Sequence, residues 1–218
     1  TPEQLRDCLF KVWPEMVNAP RVEWHSASSF IFNDEEQIIG QRGLRAYVLV
    51  ADASHIPDAG KSLFQRLQLA GFGRIELSKS GQMLQRTPID GIVFQPERLD
   101  FCGGAACTAP LAQCRPTPTV FNHKASPIDT RTTLPPLSSE ETKRLDETIQ
   151  KQKDAIKPHV QKVQGEWVEE RVTAVLKQGR LTPEAAAEKA PKLRDVYRAA
   201  VTGQALYGDF RLQLADGS

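Results

Sequence analysis

The sequence is sparing with several residue types: methionine occurs twice, tryptophan and tyrosine three times each, and cysteine four times in 218 residues. No run of about 18 apolar residues occurs, so there is no candidate for a helix that crosses a membrane. The polar opening TPEQLRDCLF lacks the basic and apolar regions of a secretory leader, and the expectation is a cytoplasmic protein with no membrane partner. An excess of one charge is also missing. The 28 Lys and Arg against 27 Asp and Glu leave a net charge of +1, which excludes a strongly basic tail or an acidic solvating segment. Internal repeats are absent, and so is the spacing of a P-loop. The chain starts at Thr1 and its last stretch, LQLADGS, closes on a turn-like Asp-Gly-Ser, as expected of a piece cut from a longer protein.

What is present describes a folded protein. Hydrophobic residues make up 40% and charged residues 25% of the chain, within the ordinary range of globular domains. Charge is uneven along the sequence: residues 1 to 60 carry 5 Lys and Arg against 9 Asp and Glu, and residues 61 to 131 carry 9 against 5. A basic middle can be a footprint for phosphate or simply a solvated surface. Cys102, Cys107 and Cys114, with His123 beyond them, supply enough nitrogen and sulfur for one tetrahedral zinc. Their spacing is wider than a tight knuckle, and Gly103-Gly104-Ala105-Ala106 lies between the first two. Buried thiols are therefore the expectation, with zinc unlikely.

Elements follow from periodicity. Leu5, Cys8, Leu9 and Val12 fall at helical spacing, and Ser29 to Phe32 reads as a strand that turns through Asn33 to Glu36 into Gln37-Ile38-Ile39. Tyr47 to Ala51 is a compact apolar strand ending at Asp52. A helix is expected from about Asp58 to Leu69, then strands at Arg74 to Ser78 and within Arg86 to Phe94. This order predicts an α+β fold: a small, mostly antiparallel sheet with helices on one face and the other face open to a ligand. Proline enrichment after Cys114 predicts an extended arm. Residues 138 to 200 mix 13 basic with 11 acidic residues and read as solvated helices, with breaks or kinks expected at Pro158 and Gly165. The expected organisation is an α+β domain over 1–114, a linker over 115–137 and a helical region over 138–218.

Chemistry concentrates between Gly73 and Gly104. Lys79, Arg86 and Arg98 are cations among polar turn residues, and Ser78-Lys79-Ser80-Gly81 offers backbone N–H groups and a point charge to a phosphate. Asp90, before the apolar Ile92-Val93-Phe94, is a candidate metal ligand or an Asp closing a turn with Gly91. Arg98 and Asp100 are placed to pair with each other. Asp52, His55 and Asp58 form a second metal candidate, although Asp52 and Ser54 serve equally as helix caps.

The ordered string GFGRIELSKSG, RTPID and QPERLDF followed by GGA, together with Ser26 to Ser29 and the strand closing at Asp52, resembles the later half of the catalytic domain in plasmid- and phage-type replication proteins of the archaeo-eukaryotic primase superfamily. The similarity spans roughly Val22 to Ala112. It implies the RRM-like half of a primase domain in a mobile-element replication protein, with DNA and nucleoside triphosphates as partners. Metal-dependent nucleotidyl transfer with Mg2+ or Mn2+ would accompany it, because an in-line displacement charges both the attacking and the leaving oxygen. Carried over by motif, Asp90 is the catalytic metal ligand. Ser26 and Ser28 fall on the triphosphate-contacting motif, and Lys79, Arg86 and Arg98 are the phosphate or template contacts. The serines stand after His25 rather than before a histidine, and no Asp-x-Asp or Asp-x-Glu pair lies upstream. The active site is thus expected to be incomplete in this chain, and the alternative is a non-catalytic nucleic-acid-binding or protein-interaction domain. The ending Leu206 to Phe210 with Leu214 to Gly217 resembles a connector toward a helicase domain of the full-length protein.

Overall fold

The computed structural model describes residues 1–100, 102–179 and 182–201. It is α+β, with short antiparallel sheets and long C-terminal helices. The chain divides into two compact units, one of Thr1–Gly73 with Thr87–Leu145, the other of Arg74–Arg86 with the chain from Asp146 onward. The expected helicase connector lies outside the described residues. No helix among the described residues is long and apolar enough to cross a membrane.

In the first unit, helix α1 (Pro2–Val12) begins with a reciprocal cap. The Gln4 amide donates to Thr1 Oγ1 at 3.3 Å, and the Thr1 amine donates to Gln4 Oε1 at 2.8 Å. Its apolar stripe, with the turn that follows, buries Leu9, Trp13, Met16 and Ala19 against Ala59, Leu63 and Leu67 of helix α2 (Ile56–Leu67). Beyond α2 the chain reverses at Gly71, whose φ of 82° is a left-handed geometry that a Cβ would strain.

Two three-stranded sheets belong to this unit. Strand β1 (Arg21–His25) is the centre of the first, between β4 (Leu44–Val48) and β8 (Thr119–Phe121). Strand β2 (Ile31–Asn33) is the centre of the second, between β3 (Glu36–Ile39) and β7 (Leu111–Gln113). The hairpin at 29–39 therefore forms as the sequence predicts. β4 lies earlier than the expected Tyr47 to Ala51: Leu49 gives a last ladder bond to the Pro20 carbonyl, Pro20 has no N–H to return one, and Ala51 gives its amide to Ile128. The expected linker 115–137 supplies β8 and the single-turn helix α3 (Thr130–Thr133) and buries Ile128, Thr130 and Leu134, with Ile128 and Leu134 joining the same core as Leu9. Its prolines fall between pairing segments, where a missing amide donor costs little.

In the second unit, β5 (Arg74–Leu77) pairs with β6 (Met83–Arg86). No strand forms between Thr87 and Phe94, where Pro88 lacks a donor and turns take over. Helix α4 (Ser139–Gln178), whose first residues to Leu145 belong to the first unit, runs unbroken through Pro158 and Gly165, and α5 (Pro183–Val201) runs through Pro191. Packing outweighs the local penalty. Val168 and Val172 of α4 bury against Ala190 of α5, flanked by Trp167, Leu193 and Tyr197, and Gln164 donates to the Gly81 carbonyl of the hairpin at 3.4 Å.

Candidate nucleic-acid interface

Side chains alternate across β1, so one five-residue strand serves two opposite environments. On the inner side Arg21 and Glu23 are buried. Arg21 Nε donates to Glu23 Oε1 at 2.9 Å, Arg6 of α1 donates to Glu23 Oε2 at 2.8 Å, and the Arg21 guanidinium also reaches the carbonyls of Met16 and Val17 at 3.1 Å each. The Phe121 ring lies under it at 4.3 Å. Burial opposes ionisation of Glu23, but the two arginine hydrogen bonds outweigh it and hold the carboxyl below its ordinary range. Every charge in this group has a partner, and its role is structural.

The outer side carries the opposite chemistry. Val22 is paired with Tyr47 on β4 and with Val120 on β8, and Trp24 is paired with Arg45. Directly paired residues share a face, so Val22, Trp24, Arg45, Tyr47 and Val120 form one surface. Val120 is 58% exposed and Tyr47 39%. Arg115, just before β8, places its guanidinium 3.8 Å from the Trp24 ring centroid. It is fixed by donating to the carbonyls of His25 at 3.3 Å and Cys102 at 3.0 Å, while the Trp24 indole donates to Pro116.

Asp100 lies on the same face. Arg45 Nε is 3.0 Å from its Oδ1, the Tyr47 hydroxyl donates to Oδ2, and the Cys102 thiol approaches Oδ2 at 3.4 Å. Burial and the hydrogen bond to Asp100 push the Tyr47 phenol up. Chiefly through that same bond, the Asp100 carboxyl is held down. Asp100 therefore pairs with Arg45, not with the expected Arg98, which reaches Gln95 at 3.2 Å.

The residues singled out in the sequence are distributed as follows. Ser26 Oγ accepts from the Gly43 amide at 3.2 Å and lies 2.9 Å from Ser29 Oγ, with the exposed Ser28 at 3.4 Å, so these hydroxyls brace the loop that ends at Phe30. Lys79 is exposed in the β5–β6 turn, where Ser78 Oγ accepts from the Gln82 amide. Arg86 Nε is 3.2 Å from Glu76, which also holds Arg74. Lys79 and Arg86 thus belong to the second unit, and Ser26, Ser28, Asp90 and Arg98 to the first. Asp90 Oδ1 accepts from the Ile92 amide at 3.0 Å, the turn-closing arrangement. Asp52 caps its turn through Ser54 and pairs with Arg131 at 2.6 Å, and His55 meets Thr130.

Among the described residues no group of three or more His, Cys, Asp and Glu side chains is arranged to hold a metal ion. Asp90, the one carboxylate that the resemblance carries over as a metal ligand, closes its own turn through the Ile92 amide. The four cysteines are thiols without a disulfide, and against the expectation of burial Cys102 and Cys114 are exposed and Cys8 and Cys107 half-buried. Trp24, Arg45, Tyr47 and Arg115 are the functional candidates that sequence reasoning missed. The available signal was the alternation Val22-Glu23-Trp24 and Arg45-Ala46-Tyr47, which places aromatic and cationic side chains on one strand face. No protein family, curated protein or solved structure was found to match this chain.

Proposed function

We propose that the first unit is a single-stranded nucleic-acid-binding module that uses the outer face of the β4–β1–β8 sheet. This is the binding half of the primase-like expectation, and binding rather than nucleotidyl transfer is what the sheet face supports. The observation that carries the reading is Arg115 stacked on Trp24 beside Arg45 and the exposed Tyr47. A guanidinium plane and a phenol ring both stack on bases, each such contact being worth about 1–3 kcal/mol, while arginines meet the phosphates. Val120 extends the apolar floor. With a net charge of +1 the protein has no strong long-range field, so affinity arises locally and lies on the order of 10⁻⁴ to 10⁻⁶ M at physiological salt.

Titration of a labelled thymidine oligonucleotide, followed by anisotropy at several salt concentrations, tests this. Binding that weakens with salt and falls about tenfold in Trp24→Ala, with the far-ultraviolet circular dichroism unchanged, is the expected result. Absence of binding at low salt, or affinity indifferent to Trp24, overturns the reading.

A further inference from the structure

We propose that Asp100 is an internal stand-in for a phosphate, occupying the Arg45 and Tyr47 donors until a nucleic-acid phosphodiester displaces it. The inference rests on the binding role proposed for this sheet face and adds to it the identity and regulation of one subsite.

The geometry carries the argument. A carboxylate and a phosphodiester both offer two acceptor oxygens to an arginine and a hydroxyl donor. Asp100 uses one oxygen for Arg45 at 3.0 Å and the other for the Tyr47 hydroxyl and the Cys102 thiol. It belongs to no helix or strand, and its side chain is 43% exposed against 22% for Arg45, so water and a competing anion reach the pair from the Asp100 side. The remaining anchors of this segment do not depend on it. Arg115 grips the Cys102 carbonyl, and Gln113 accepts from the Ala105 amide at 2.8 Å. The carboxylate can therefore yield its place while the chain on the C-terminal side stays attached. In its presence the phosphate donors on the sheet face are engaged, and the apparent affinity is reduced by the fraction of molecules in which they are exposed.

Asp100→Asn removes the charge and keeps the shape. The same oligonucleotide titration is expected to show about tenfold tighter binding than wild type, with a salt dependence steeper by about one phosphate contact. Adding Arg45→Ala to Asp100→Asn should cancel the gain, because the two residues act through one subsite. Unchanged or weaker binding by Asp100→Asn, when wild type binds in a Trp24-dependent way, overturns this inference and leaves the binding function standing. Binding by Asp100→Asn at physiological salt, where wild type binds only at low salt, supports both. Silence in both proteins overturns both. A purely structural role gives the opposite sign, a lower melting temperature with weaker binding. Ultraviolet titration of the tyrosines provides a readout free of nucleic acid: the phenol that disappears in Tyr47→Phe should ionise at lower pH in Asp100→Asn, and an unmoved phenol removes the Asp100 to Tyr47 contact on which the subsite depends.

Discussion

The guanidinium of Arg115 lies 3.8 Å from the centre of the Trp24 ring while holding the carbonyl oxygens of His25 and Cys102. A single side chain thus ties the start of β8, the end of β1 and the segment after Asp100 to one aromatic surface. The fork of the guanidinium makes that possible, since one planar group can stack and donate in two directions at once.

Arg115→Lys is expected to weaken oligonucleotide binding about three- to tenfold despite keeping the charge. An ammonium loses both the planar stacking surface and the two-carbonyl geometry, at a cost of roughly 1 kcal/mol. Anisotropy on the two proteins at equal salt decides it, and equal affinity would show that only charge matters at this position.

Glu23→Gln should destabilise the first unit by about 3 kcal/mol, because it leaves the buried Arg21 facing a neutral partner. The folded carboxyl is depressed below its unfolded value of about 4.3. The stability it contributes is therefore fully present above that value and is lost as pH falls through the depressed folded value. Urea midpoints measured from pH 6 downward should fall for wild type in that acid window and change less for the variant.

Two glycines make a paired test. A Cβ on Gly60 would lie 2.1 Å from Phe94 Cγ, so Gly60→Ala must push that ring off α2, costing about 1–3 kcal/mol. A Cβ on Gly71 meets nothing within 4 Å, and Gly71→Ala bears only the left-handed backbone cost of roughly 1–2 kcal/mol. Near-ultraviolet circular dichroism, which reads the environment of Phe94 and its neighbours, should change for the first variant and hold for the second.

Gln113→Ala should open the loops beside the interface. Its amide donates to Ala27 and Ser29 carbonyls at 2.7 and 2.8 Å and accepts from Ala105, so truncation strands three backbone groups at about 1–3 kcal/mol in total. Hydrogen exchange at the Ala105 amide should accelerate, while exchange in α2 stays as in wild type.

The elements with strong local signals were legible in the sequence. α1, the 31–39 hairpin, α2 and the β5 strand each follow from spacing and turn residues that act within a few positions. The path of residues 115–137 was not legible. Its prolines describe local geometry, whereas β8 exists because β1 offers an unpaired edge nearly a hundred residues earlier. Helix α4 hides for the same reason, since Pro158 is a local penalty and the apolar seam of Val168, Val172 and Ala190 is a tertiary gain.

The candidate interface was half legible. An α+β scaffold with a small antiparallel sheet is legible, but polar neighbours draw attention to Lys79, Arg86 and Arg98, none of which lies on β1, β4 or β8. Arg45 and Arg115 sit among apolar and aromatic residues and become notable only when β1 and β4 are placed in register. Arg21 and Glu23 add to the disguise, because charged residues on the inner side invert the usual reading of which positions in β1 face solvent.

That inversion makes β1 intolerant of changes in length. Inserting or deleting one residue between Pro20 and Trp24 would turn the guanidinium and carboxylate pair outward and thrust the indole against α1, so the stability of the unit and its outward chemistry would be lost in a single event.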